Sequence, residues 1–352
     1  MKAARDTLLN PLLSLALCAT AGALFAWFRT PLPWMIGPLI AMAALNFSGA
    51  RLRAPKAARP IGQVIIGTAL GLYFTPVVAQ QVLSYWHLLL LAAALAILIA
   101  CACAWFLSSA TDTDRTTAFF ASVPGGAAEM ALLAERYGAR VDRVAIAQSM
   151  RILAVVIVVP FGLTYSGVHG ADSYVPATAT LDWGRLAALL AIATAGAGLL
   201  ALLHAPNAFM LGALFSVIAL TVSEINFSAM PAVVSNLGQL LIGCALGSRF
   251  ERSFLDRVPC FVAASLASIL LALGLAGALG AALAWMYALP LPSVVLATAP
   301  GGIAEMCITA KVLQLGVPLV TAAHVTRVIV LVTCTGGLFR LARHLTERYR
   351  KA

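Results

Sequence analysis

Residues 60–111 hold no Asp, Glu, Lys or Arg across 52 positions, and residues 258–304 hold none across 47. A soluble domain draws about a quarter of its residues from the charged types, whereas this chain of 352 residues draws 10% and is 62% hydrophobic. Each uncharged run is long enough for two helices of about 20 residues, the length that crosses a hydrocarbon core. A globular cytosolic enzyme is excluded. A single-span receptor is excluded too, because no soluble domain is left to anchor. The pattern predicts an all-α polytopic membrane protein whose first partner is the lipid bilayer.

The net charge is +10, yet the cations sit at segment ends and towards the C-terminus (Arg340, Arg343, Arg348, Arg350, Lys351) and do not line one surface element. That distribution argues against nucleic acid and for topology, since cationic loops stay on the cytoplasmic side. Seven cysteines, most of them inside apolar runs, read as small hydrophobes and not as a disulfide framework.

The chain repeats itself. Ser122-Val-Pro-Gly-Gly-Ala-Ala-Glu129-Met130 returns as Thr298-Ala-Pro-Gly-Gly-Ile-Ala-Glu305-Met306, 176 residues on. Gln63, Gly67 and Gly71 return at the same offset as Gln239, Gly243 and Gly247, and Arg151 returns as Arg327. Trp34-Met-Ile-Gly37 matches Phe209-Met-Leu-Gly212, and Asn46-Phe-Ser48 matches Asn226-Phe-Ser228. Two membrane repeats are expected, 1–175 and 176–352. Each carries corresponding apolar segments, near 7–28, 31–48, 61–80, 87–108, 116–134 and 143–165 in the first. Because 183–203 matches 7–28, the first segment reads as part of the fold and not as a cleaved signal peptide.

Charge gives each repeat a direction. The loop after the second segment carries Arg51, Arg53, Lys56 and Arg59 in repeat one, but Glu224 and no cation in repeat two. The loop after the third is the reverse: 75–87 has no cation, while 249–257 has Arg249, Arg252 and Arg257. Equivalent loops must then face opposite compartments, which needs an odd number of crossings per repeat. Five helices plus one Pro-Gly-Gly re-entrant or broken helix per repeat satisfy this, with the repeats inverted and both termini cytoplasmic.

Irregular backbone at membrane depth persists only where protein encloses it or water reaches it. The same break at matching places in two opposed units points to a transporter's binding site. Pro124, Gly125 and Gly126, with Pro300, Gly301 and Gly302, are therefore substrate- or ion-binding candidates, the alternative being a structural kink. Glu129 and Glu305 fall in the first turn after each break, where free N–H groups and the helix dipole favour a carboxylate; they read as caps, as proton or cation acceptors, or as both. Arg151 and Arg327 lie deep in an apolar helix, where an unpaired guanidinium is costly. Pairing with a glutamate and bidentate grip on an anionic substrate are both open. Gln148 and His324 share the arginine's face one turn earlier. Gln63 and Gln239 precede Gly-x-x-x-Gly stretches, so close helix packing is expected there, with the glutamine facing a pocket as the functional reading. No residues have the spacing of a metal site, a catalytic triad or a nucleotide loop, so no metal, cofactor, catalytic residue or enzyme activity is expected.

The duplicated tip motif, with Trp34-Met-Ile-Gly37 and the two Gln-x-x-x-Gly stretches, resembles the AbrB-type integral membrane family over nearly the whole chain. Proteins of that kind carry two functional labels, membrane regulator of gene expression and ammonia monooxygenase. The resemblance does not imply the soluble DNA-binding regulator of the same name, and the residues here give the oxygenase label no support. The expected function is inner-membrane secondary transport of a small polar or anionic solute, with proton or cation coupling. A membrane regulator is the alternative, the oxygenase ranks last, and homo-oligomerisation is left open.

Overall fold

The computed structural model describes residues 2–50, 52–167, 176, 180–250 and 259–349, excepting the side chains of 2–9, 128, 335, 336 and 338–349. Arg252 and Arg257, the 175/176 repeat boundary and the side chains of the C-terminal cations lie outside that description. The described residues form fifteen helices and no strand. The first eight are α1 (Lys2–Trp27), α2 (Pro33–Phe47), α3 (Ala58–Gly71), α4 (Pro76–Ser84), α5 (Trp86–Ala110), α6 (Arg115–Ser122), α7 (Ala127–Arg136) and α8 (Val141–Tyr165). The rest are α9 (Trp183–Leu202), α10 (Ala208–Val222), α11 (Ala232–Gly247), α12 (Pro259–Tyr287), α13 (Leu291–Thr298), α14 (Ile303–Leu313) and α15 (Val317–Tyr349).

Six of these, α1, α5, α8, α9, α12 and α15, are long and apolar enough to cross a membrane. Three others, α2, α10 and α11, are apolar but only 15 or 16 residues long. Large apolar side chains face outward along the long helices, Trp105 and Trp285 among them, a surface suited to lipid and not to water. The long helices are rich in Ala and Leu, the strongest helix formers. Side chains mark several starts: Asp114 accepts the Thr117 N–H at 2.8 Å and Asp182 accepts that of Arg185 at 3.0 Å, as N-caps do.

One sequence expectation is corrected. The apolar segment near 61–80 is not one helix: α3 and α4 meet at a bend of 93°. Pro76 lacks an N–H and disfavours helical backbone at Thr75, and Thr75 instead caps the next helix by accepting the Val78 N–H at 3.4 Å.

The helices gather into two bundles, and each bundle draws on both halves of the chain. In the first, α2 packs on α1 and α11, and α3 packs on α9, α10 and α11. In the second, α5 packs on α6, α12 and α15, α8 on α6, α7 and α12, and α13 on α12 and α15. The bundles touch where α3 meets α14 and α15, and along α4.

Contacts in the first bundle are reciprocal. A Cβ on Gly62 of α3 would sit 2.7 Å from the Gly238 carbonyl oxygen and 2.8 Å from Ile242, while one on Gly238 of α11 would sit 2.8 Å from Ile65. Residue numbers rise along one helix as they fall along the other, so α3 and α11 cross antiparallel. Gly67 and Gly71 of α3 lie against Met210, Leu214 and Val217 of α10, and Gly243 and Gly247 of α11 lie against Met35, Leu39 and Met42 of α2. This is the close packing expected of Gly-x-x-x-Gly. The residues heading α2 and α10, Leu32 and Asn207, both have left-handed backbone (φ 47° and 52°).

Candidate functional site

Each Pro-Gly-Gly element interrupts a helix. Residues 123–126 lie between α6 and α7, and residues 299–302 between α13 and α14. Such a break takes carbonyls at the end of the leading helix out of the helical ladder, and a buried arginine donates to them in both places. Arg151 of α8 donates from Nη1 to the Val123 carbonyl and from Nη2 to the Gly125 carbonyl, each at 3.0 Å. Arg327 of α15 donates from Nη1 to the Ala299 carbonyl at 2.6 Å and from Nη2 to the Gly301 carbonyl. One turn earlier, Gln148 donates to the Phe120 carbonyl at 2.8 Å and the Val123 carbonyl at 2.9 Å. The matching His324 sets its Nε2 3.1 Å from the Leu296 carbonyl. Arginine and its neighbour thus form a latch that holds the break open.

The glutamates do not pair with these arginines. Among the described residues, ion pairs within 4.0 Å are limited to Arg140–Asp142 and Arg185–Asp182, both exposed. Each carboxylate instead folds back over its own break, so that a Cβ on Gly126 or Gly302 would collide with Glu129 or Glu305. That position, over the free N–H groups of the first turn, favours negative charge.

The breaks share one cavity. Pro124, Gly125, Gly126, Glu129 and Arg151 line it with Gly301, Gly302, Glu305 and Arg327, around a space of about 70 Å³. Its other wall comes from the first bundle: Arg59 and Gln63 of α3, Pro206 and Asn207 before α10, and Ile242 of α11. The cavity therefore lies between the bundles. Pro300 is not part of this wall; it lines a second, smaller cavity of about 30 Å³ with Pro124, Arg151 and Arg327. Gln63 reaches the shared cavity, where its Nε2 donates to Asn207 Oδ1 at 2.8 Å. Gln239 is buried on α11 and does not line that cavity.

Two contributors escaped the sequence reading. Asn207 occupies the position equivalent to the apolar Leu32, and that polar substitution in an apolar stretch was its one signal. Arg59 had been counted only as a loop cation. Burial and the neighbouring Arg59 push the Arg249 guanidinium, just beyond α11, down to about 10, with Glu305 and Glu129 pulling it back up. Arg249 thus senses the carboxylates of both breaks. Among the described residues, no three His, Cys, Asp or Glu side chains gather as a metal site.

Helices of spanning length around a shared pair of latched breaks define a class, the polytopic helical proteins of membrane type. The chain belongs to the AbrB family: the family model described as "Transition state regulatory protein AbrB" matches residues 34–343. It is similar to YhjN of Bacillus subtilis (strain 168), whose name assigns no function, with 28% identity over 97% of this chain and 95% of the relative. It is also similar to a protein of Escherichia coli (strain K12) named as a regulator, AbrB, with 24% identity over 86% of this chain and 88% of the relative. No solved structure matches.

Proposed function

We propose that the protein is a secondary transporter of a small polar or anionic solute at a bacterial inner membrane, with two inverted repeats, 1–175 and 176–352. One observation carries this reading: both breaks and both buried arginines line one cavity between the two bundles. Discontinuous helices at a repeat interface are where carriers hold substrate. The cavity's guanidinium charge and glycine backbone suit an anionic or polar group, and Glu129 and Glu305 are the coupling carboxylates for protons or cations. Rocking of one bundle against the other alternates access.

Inversion is supported by α3 and α11, which occupy equivalent places in the repeats yet run antiparallel across Gly62 and Gly238. It is also supported by the opposed loop charges, which place both termini in the cytoplasm. Exposed cysteines at Lys56→Cys and Glu224→Cys, treated with an impermeant thiol reagent, should react from opposite faces of the membrane. Reaction of both from one face removes the inverted arrangement. For transport, proteoliposomes filled with a pH-sensitive dye are challenged with gradients of small carboxylates and amino acids. At least one gradient should drive proton movement, and the double variant Glu129→Gln, Glu305→Gln should abolish it. Absence of any solute-driven movement sinks the transport reading, and undiminished movement in the double variant sinks the coupling role.

The name of the Escherichia coli relative favours a second reading, a membrane regulator of gene expression. It requires a stable protein partner, and pull-downs from membranes with and without the chain would reveal one.

A further inference from the structure

The smaller cavity, of about 30 Å³, lies within the second bundle, behind the breaks, between α5, α6, α8, α12, α13 and α15. Arg151 and Arg327 both line it, each about 5% exposed or less, yet none of its lining residues is an Asp or Glu. Carbonyl groups satisfy their Nη donors but bring no negative charge. The Nε of each guanidinium has no hydrogen-bond partner among the described residues. Two further donors on this wall are equally bare: Ser265 Oγ, on a side chain 2% exposed, and Ser122 Oγ. Thr298, which matches Ser122 in the other repeat, differs, since its hydroxyl donates to the Ala276 carbonyl at 2.9 Å.

Buried donors left unpaired cost free energy, and buried cations without a counter-charge cost more. Here two guanidinium groups and two hydroxyls line one carboxylate-free cavity, and Glu129 and Glu305 stand near the same arginines only on the side of the other cavity.

We infer that this inner cavity binds a small inorganic anion, a halide or an oxyanion, held by Arg151, Arg327, Ser122 and Ser265. It is the fixed counter-charge of the latch, separate from the solute cavity between the bundles, and it does not depend on the transport reading.

The test uses the full chain in lipid nanodiscs in sodium gluconate, with chloride, bromide or sulfate replacing gluconate at constant ionic strength. Thermal unfolding is followed by tryptophan fluorescence. At least one of the three should raise the unfolding temperature saturably. Ser265→Ala and Ser122→Ala should each raise the half-saturating concentration by about ten-fold, the loss of roughly one hydrogen bond to a charged group. Ser265→Thr, which keeps the hydroxyl, should retain binding and covers the case of a misfolded alanine variant. Glu129→Gln with Glu305→Gln removes negative charge beside the same two arginines, so the anion should still bind, with a half-saturating concentration no higher than in the unaltered protein. No saturable effect of any of the three anions overturns the inference. So does an effect that Ser265→Ala and Ser122→Ala both leave intact, which would put the anion elsewhere. Transport fails or survives in a separate measurement, so the two conclusions fall independently.

Discussion

The first break and the second are built alike and covered differently. The same arginine latch and the same folded-back carboxylate occur in both. Around the second, nearly all of α14 is buried, Glu305 included, and Ile303, Ala304, Met306 and Cys307 belong to the main apolar core. Around the first, α7 buries Met130 and Ala134 in a smaller, separate cluster, Glu129 is half-buried and Leu132 is exposed. Local sequence thus determines the hydrogen-bonding device, whereas the neighbours determine how far solvent reaches it. On the transport reading proposed above, unequal cover of equal devices is what one end state of alternating access would present.

Removing the latches probes this contrast most severely. Arg327→Ala strands the Gly301 carbonyl in the core, at about 1–3 kcal/mol, and leaves the Ala299 carbonyl only the Gly301 N–H. In Arg151→Ala, Gln148 still serves the Val123 carbonyl and the Gly125 carbonyl stands in a half-buried turn, so roughly half that loss is expected. Chemical unfolding in detergent measures both, and equal losses would break the comparison. Cover itself is sharpened by reactivity: Glu129→Cys should react with an impermeant maleimide roughly ten-fold faster than Glu305→Cys, because only an accessible thiolate is reactive. Equal rates would show that the two carboxylates are equally reached. The first bundle supplies the symmetric control. Gly67→Ala and Gly243→Ala press a methyl onto matching neighbours and should each cost about 1–3 kcal/mol by the same unfolding assay. A clear difference between them would mean that the frame is uneven too. The smallest effect belongs to Asn207→Ala, which loses one 2.8 Å bond to Gln63, worth about 1 kcal/mol. Gln239→Ala, in the other repeat, lacks that partner and reports packing alone.

Much of the site was legible because its residues are rare in their surroundings. A Pro-Gly-Gly inside an apolar segment, or a lone arginine in one, stands out before any fold is known, and the 176-residue offset pairs each with its twin. The partners of those arginines were hidden, because backbone carbonyls have no residue identity and the choice between glutamate and substrate omitted them. His324 and Gln148 do one job with different chemistry, so likeness of residue type gave no warning of likeness of role. The bend at Pro76 was overlooked because the apolar pattern continues straight through it, and hydropathy alone does not register a missing N–H. Asn207 meets Gln63 from 144 positions away, a distance no local pattern bridges.

The guanidinium groups are tied to the loops ahead of them, so neither can swing alone. Any displacement of the second bundle carries its two cations along as cargo of the frame itself. Were that bundle to move across a membrane, a voltage would act on it as on a lever, with about 2.3 kcal/mol for each charge carried across a full 100 mV drop. An anion bound as inferred above would cancel part of that pull, and the resting potential would then set which way the molecule leans.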